Sequence, residues 1–179
     1  VLDPLNSEQQ SILARHALDA DPTKFMEEMK LQGLEPFAKR PSDLIQLATY
    51  YGKNGAFGTL AEMTENNIHE LLKERPGRPD GDKLSEAEAY SGAKKLALTL
   101  AKRLTLLAPG QTKDDDQETI DPALVLNDWP SAQIETLLRR GLFAPASFGC
   151  VRFQHRSTIE YLAAQQLGDL MQSEAQEAE

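Results

Sequence analysis

Basic charge, cysteine, histidine and aromatic side chains are all scarce in this sequence, and each shortage removes a class of function. Lys and Arg number 19 against 28 Asp and Glu, for a formal net charge of −9. So acidic a chain lacks the electrostatic footprint of a general nucleic-acid binder or of a protein that adheres to anionic membranes. The single cysteine, Cys150, excludes an internal disulfide and a cysteine-cluster metal site, and it fits a reducing, cytoplasmic setting. Three scattered histidines, His16, His69 and His155, have no metal-ligand spacing. No stretch approaches the roughly 18 apolar residues of a membrane span. The opening, VLDPLNSEQQ, has no initiator methionine, basic segment or apolar run. It is not an intact signal peptide and reads as part of a longer chain. No P-loop, G-x-S-x-G or H-E-x-x-H motif occurs, and Cys150 and His155 point to opposite faces of one strand, so they make no nucleophile pair. The chain by itself is therefore expected to hold no catalytic residue, no metal and no cofactor.

What is present is apolar mass at helical spacing. The 179 residues are 40% hydrophobic but only 6% aromatic, and Leu and Ala abound, which predicts a mainly α fold. Ser7 with Gln10 has capping-box spacing, Asp21-Pro22 starts a second helix and Gly33 closes it. Pro41 opens a third helix, broken by GKNG at 52–55. Thr59 with Glu62 caps a fourth, whose stripe is Met63, Ile68, Leu71 and Leu72. Residues 1–75 thus read as a small helical bundle. RPGRPDGDK, 75–83, is dense in proline and glycine, so 76–83 reads as a linker.

Ser85 and Glu88 cap a long helix whose apolar positions run from Ala89 to Leu107, stopped by Pro109-Gly110. QTKDDDQET, 111–119, is a polar loop whose three adjacent acids read as a solvated face sooner than a cation site. Asp121-Pro122 and Pro130 start two short helices, with Ile134, Leu137 and Leu138 facing inward. The period then changes. LFAPASFGCVRFQH, 142–155, predicts a β-hairpin. In its second strand Val151, Phe153 and His155 share the inward face, and Cys150, Arg152 and Gln154 the other. A last helix follows, capped by Ser157 with Glu160, its buried side Ile159, Leu162, Ala163, Leu167 and Leu170. Three helices followed by a hairpin is the order of a winged helix, so 84–171 reads as a winged-helix domain. Residues 172–179 read as a disordered acidic tail.

His155 and Arg156 fall at the junction of strand and helix. A helix N-terminus carries partial positive charge and free N–H groups, which suit an anion such as phosphate. The commoner reading of a histidine on an apolar strand face is a core residue with one satisfied nitrogen. Arg156 is, by the same measure, a surface salt-bridge partner. His16 and His69 lie within helices and have no companions.

The stretch FQHRSTIEYLAAQQL resembles the end of the winged-helix domain in NACHT-type STAND NTPases, where F-x-H-x-S-x-x-E-Y/F-x-A-A recurs. Phe153, His155, Ser157, Glu160, Tyr161, Ala163 and Ala164 fit that pattern. Residues 40–75 are similar to the helical domain that follows the nucleotide-binding core of that family, where G-x-P opens a Leu-rich helix. The trio here is Lys39-Arg40-Pro41, without the glycine. LDPLNSEQQ resembles the family's Leu-x-Pro-Leu-x-x-x-Gln segment. The resemblance implies that Pro41 packs near an adenine and that His155, with Arg156 beside it, contacts the β-phosphate of ADP. It also implies that the P-loop and the Mg²⁺-binding acids belong to an upstream core of the same protein, an ATPase as a whole. The chain would then be the regulatory half of a switch that closes over ADP and opens on exchange for ATP, freeing surfaces for homo-oligomerisation. Two rivals stand beside it. One is a DNA-binding winged-helix regulator reading through PSAQIETLLRR, 130–140, where Arg139 and Arg140 are basic but Glu135 opposes them. The other is a nucleotide-independent scaffold for protein partners.

Overall fold

The structure, a computed structural model, describes residues 3–73, 84–100, 105–108, 111, 119–146 and 149–177. These are mainly helical, with one small sheet. The chain forms two compact units, residues 1–67 and 68–179. The division thus falls inside a helix, ahead of the expected boundary at 75. The proposed linker, 76–83, and the acidic run at 114–116 lie outside the described residues.

In the first unit, α1 (Ser7–Leu18), α2 (Thr23–Leu31), a 3₁₀ turn (Phe37–Lys39), α3 (Pro41–Asn54) and the start of α4 (Leu60–Leu72) enclose one core. Its centre is Phe25, Met29, Leu44, Ala48 and Met63. Phe25, Tyr51 and Phe57 add an aromatic trio, with ring centroids 4.9–5.4 Å apart. The cap of α1 lies one residue earlier than its sequence suggests. Asn6 accepts from Gln9 N and Gln9 reaches back to Asn6 N. Gln10 instead turns inward, and its Nε2 donates to Leu5 O at 3.3 Å. At α4 the expected box is present: Thr59 N donates to Glu62 Oε2 at 2.7 Å and Glu62 N donates to Thr59 Oγ1 at 3.2 Å. Gly55, at φ 72°, takes the left-handed conformation that ends α3.

The second unit holds the end of α4, then α5 (Glu86–Thr99), β1 (Thr105–Leu107), β2 (Thr119–Ile120), α6 (Pro122–Val125), α7 (Ser131–Arg139), β3 (Phe143–Pro145), β4 (Cys150–Phe153) and α8 (Arg156–Glu177). The expected hairpin is β3 and β4, with Phe143 opposite Phe153 and their rings 4.6 Å apart. The sheet order is β2-β1-β4-β3, with β1 antiparallel to β4 and parallel to β2. The long helix expected to reach Leu107 is shorter: α5 ends at Thr99 and Leu107 belongs to β1. Leu106 and Leu107 pair with Val151 and Cys150, and that distant ladder overrides the local period. Cys150, expected on the outer face, is buried, while Arg152 and Gln154 of that face are exposed. The tail also differs, since α8 continues to Glu177. Gln, Glu, Ala and Met are good helix formers, and no glycine or proline interrupts them after Gly168.

Gly92 is where α5 approaches Trp129 and α7. A Cβ there would stand 2.7 Å from the Trp129 ring and 2.9 Å from Leu137 Cδ2. Gly92→Val should therefore destabilise the second unit by about 1–3 kcal/mol, as overpacking does, read from the urea midpoint. An unshifted midpoint would mean that this contact is loose. At the start of α5, hydrogen bonds from the Ser85 hydroxyl and Ser85 N hold the Glu88 carboxyl below the ordinary glutamate value. A lowered carboxyl contributes stability above its unfolded pKa and loses it as pH falls through the folded one. Ser85→Ala should thus lower the melting temperature at neutral pH, and the gap to wild type should narrow in acid to what the Glu88 N–Ser85 Oγ cap bond contributes. A gap that stays constant would remove Glu88 from the cap's energetics.

Candidate functional site

The strand-to-helix junction after β4 carries the chemistry singled out in the sequence. Phe153 is buried, and Gln154 N donates to Leu142 O at 3.1 Å, which fixes the last residues of the hairpin. His155 follows in neither strand nor helix and is half-buried. α8 begins at Arg156, so Ser157 lies in its first turn and not at its N-cap. Glu160 does not close a box with Ser157. It accepts from Arg156 Nε at 2.8 Å, an exposed pair one turn apart. Thr158 and Leu162 are buried beneath the junction. The ring of His155 and the guanidinium of Arg156 are thus both at least partly open to a ligand, on a 22-residue helix whose first N–H groups begin beside them.

Pro41 occupies the first position of α3 and is exposed. Leu5 N donates to Lys39 O at 2.8 Å, which sets the Leu-x-Pro-Leu segment against the turn leading into Pro41. Two stretches that carry the family resemblance therefore meet within the first unit. Pro41 belongs to that unit and His155 to the second.

Two features eluded sequence reasoning. Arg140 was grouped with Arg139 as a surface cation of α7, but it is buried, 5% exposed. Its Nη1 donates to Leu72 O at 2.7 Å and its Nη2 to Leu84 O at 3.1 Å. It ties the end of α4 to the residue before α5's cap. The signal was there: Arg140 stands three residues after Leu137, on the apolar side. Arg139 is exposed and pairs with Glu135. His69 is not without companions either. Its Nδ1 lies 2.6 Å from Glu86 Oε1, and its ring stacks on Tyr90, 4.8 Å between centroids and 4° from parallel. His16 is exposed beside Arg15, Asp19 and Asp21 around an open depression. Among the described residues no three His, Cys, Asp or Glu side chains gather as a metal site, and no helix is long and apolar enough to cross a membrane.

No family model matches the chain, and no curated protein or solved structure is significantly similar to it.

Proposed function

We propose that this chain is the helical and winged-helix regulatory half of a NACHT-like STAND NTPase, closing over ADP held by a P-loop core of the same protein and opening on exchange for ATP. The observation that carries the reading is the junction itself. Within FQHRSTIEYLAA His155 lies between strand and helix and Arg156, paired with Glu160, opens the helix, so one histidine donor stands at a positive helix end. The second unit's topology supports the winged-helix part. A helix, two strands, two helices and a hairpin follow in order; the first of those strands closes on the hairpin's second strand, and the second adds a parallel edge beside it. In this reading Pro41, at the head of α3, faces the adenine side, and Mg²⁺ is held by the core. Homo-oligomerisation follows opening.

The DNA-reading alternative loses support from α7. Arg140 is committed to two backbone carbonyls and Arg139 to Glu135, which leaves that helix a poor phosphate reader. The proposal is tested by ADP release from the P-loop core with and without this chain attached. The attached chain should slow release and isolate the nucleotide from competitor. Equal rates would remove the basis for a nucleotide-closed state.

A further inference from the structure

We propose that the outer face of α8's C-terminal half is a docking surface for a basic amphipathic helix of a partner protein. α8 packs on α5. At about 1.5 Å per residue, its 22 residues extend roughly 12 Å further than the 14 of α5. Thr158 and Leu162 are buried, and Lys94 of α5 pairs with Asp169 on that inner side. The opposite side follows the steps 160, 163/164, 167, 170/171 and 174, which is one helical stripe. It reads Glu160, Ala164, Leu167, Leu170/Met171, Glu174, with Ala163 at its edge packed partly on the core. Leu167 is 51% exposed, Leu170 44% and Met171 64%. Three large apolar side chains side by side on one face differ from the scattered exposed leucine that needs no explanation.

Charge selects the occupant. Beyond Arg156, α8 contains no Lys, Arg or His, and Arg156 is folded back onto Glu160. The apolar centre is therefore bounded by the Arg156–Glu160 pair towards the helix start and by the carboxylate of Glu174 towards its end. A second copy would oppose that stripe with like charge, and an anionic vesicle would be repelled in the same way. A helix with an apolar ridge and flanking Lys or Arg satisfies both halves of the surface, in the manner of helix-on-helix recognition.

The test uses two designed amphipathic peptides of about 15 residues, one of Leu and Lys and one of Leu and Glu, titrated into the whole chain. The readouts are anisotropy and amide chemical shifts. The Leu/Lys peptide should bind, with shifts centred on 160–174, and the Leu/Glu peptide should not. Leu167→Gln with Leu170→Gln and Met171→Gln should weaken binding roughly tenfold or more. Glu174→Lys should weaken it severalfold and reduce its salt dependence. All these side chains are exposed, so the variants should melt with wild type. The proposal is overturned if the triple variant binds as well as wild type, if shifts spread over the acidic surface generally, or if the Leu/Glu peptide binds equally. A concentration-dependent dimer abolished by the triple variant would assign the face to a second copy and overturn it too.

Discussion

Arg140→Ala is expected to cost the second unit about 2–4 kcal/mol, while Arg139→Ala next to it should cost at most about 1 kcal/mol. The difference lies in what each guanidinium touches. Arg139 pairs with Glu135 at the surface, where water screens the attraction. Arg140 is buried and donates to Leu72 O and Leu84 O, both in buried residues. Truncation removes two charge-assisted bonds and leaves two carbonyls to find other partners in a crowded site. It also releases the end of α4, where Ile68 and Leu72 belong to the second core. Arg140→Met separates the effects, since it keeps the apolar stem and removes only the donors. Arg140→Lys should recover part of the loss, because one ammonium cannot span two carbonyls as a planar fork does. The measurement is the denaturation midpoint of the chain, followed by a probe in the second unit. Equal midpoints for the Arg139 and Arg140 variants would show that the buried bonds contribute nothing net.

On the proposed reading, His155→Ala in a protein that joins this chain to a P-loop core should speed ADP release about ten- to a hundredfold and raise spontaneous activation. One charge-assisted hydrogen bond to a phosphate oxygen is worth about 1.5–3 kcal/mol, which sets that range. His155 is half-buried, between the end of β4 and the start of α8. It contributes little apolar area, so the isolated chain should keep its melting temperature. A histidine that serves only as a core residue predicts the reverse pair of results, with an unstable chain and an indifferent nucleotide. Measuring both quantities on the same variant distinguishes them. An unchanged ADP off-rate with a destabilised chain would withdraw the role given to FQHRSTIEYLAA.

Helix starts were the most legible part of this fold. Thr59 with Glu62, Ser85 with Glu88, and Asp121 before Pro122 each place a side-chain acceptor where free N–H groups need one, and each does so in the structure. The chemistry is local, so the sequence displays it. The hairpin was legible for the same reason: a cluster of turn residues between two apolar runs marks it in the sequence. β1 was not, because Leu106 and Leu107 satisfy a helical period as well as a strand, and the choice is made by β4, more than forty positions away. Arg140 was misread because charge was taken as a sign of solvent, although its position relative to Leu137 gave its side. The cap of α8 slipped for a subtler reason. Arg156 supplies Glu160 with a partner, so the spacing from Ser157 to Glu160 has no reciprocal bond to make. Of the junction, the sequence foretold the residues and their order, and the structure added that His155 lies between elements.

The two outer strands of the sheet have a further meaning for how this chain meets other proteins. β2 is two residues long, and β3 is three and ends in Pro145, which has no N–H to offer. Among the described residues, the rims are short and β3 ends without a donor, and inner β4 is already paired on both sides. Rims of this kind are poor templates for amyloid-like growth or for capture of extended peptides. Recruitment is then favoured at the helix surfaces, where side chains read a partner and specificity can be tuned one residue at a time.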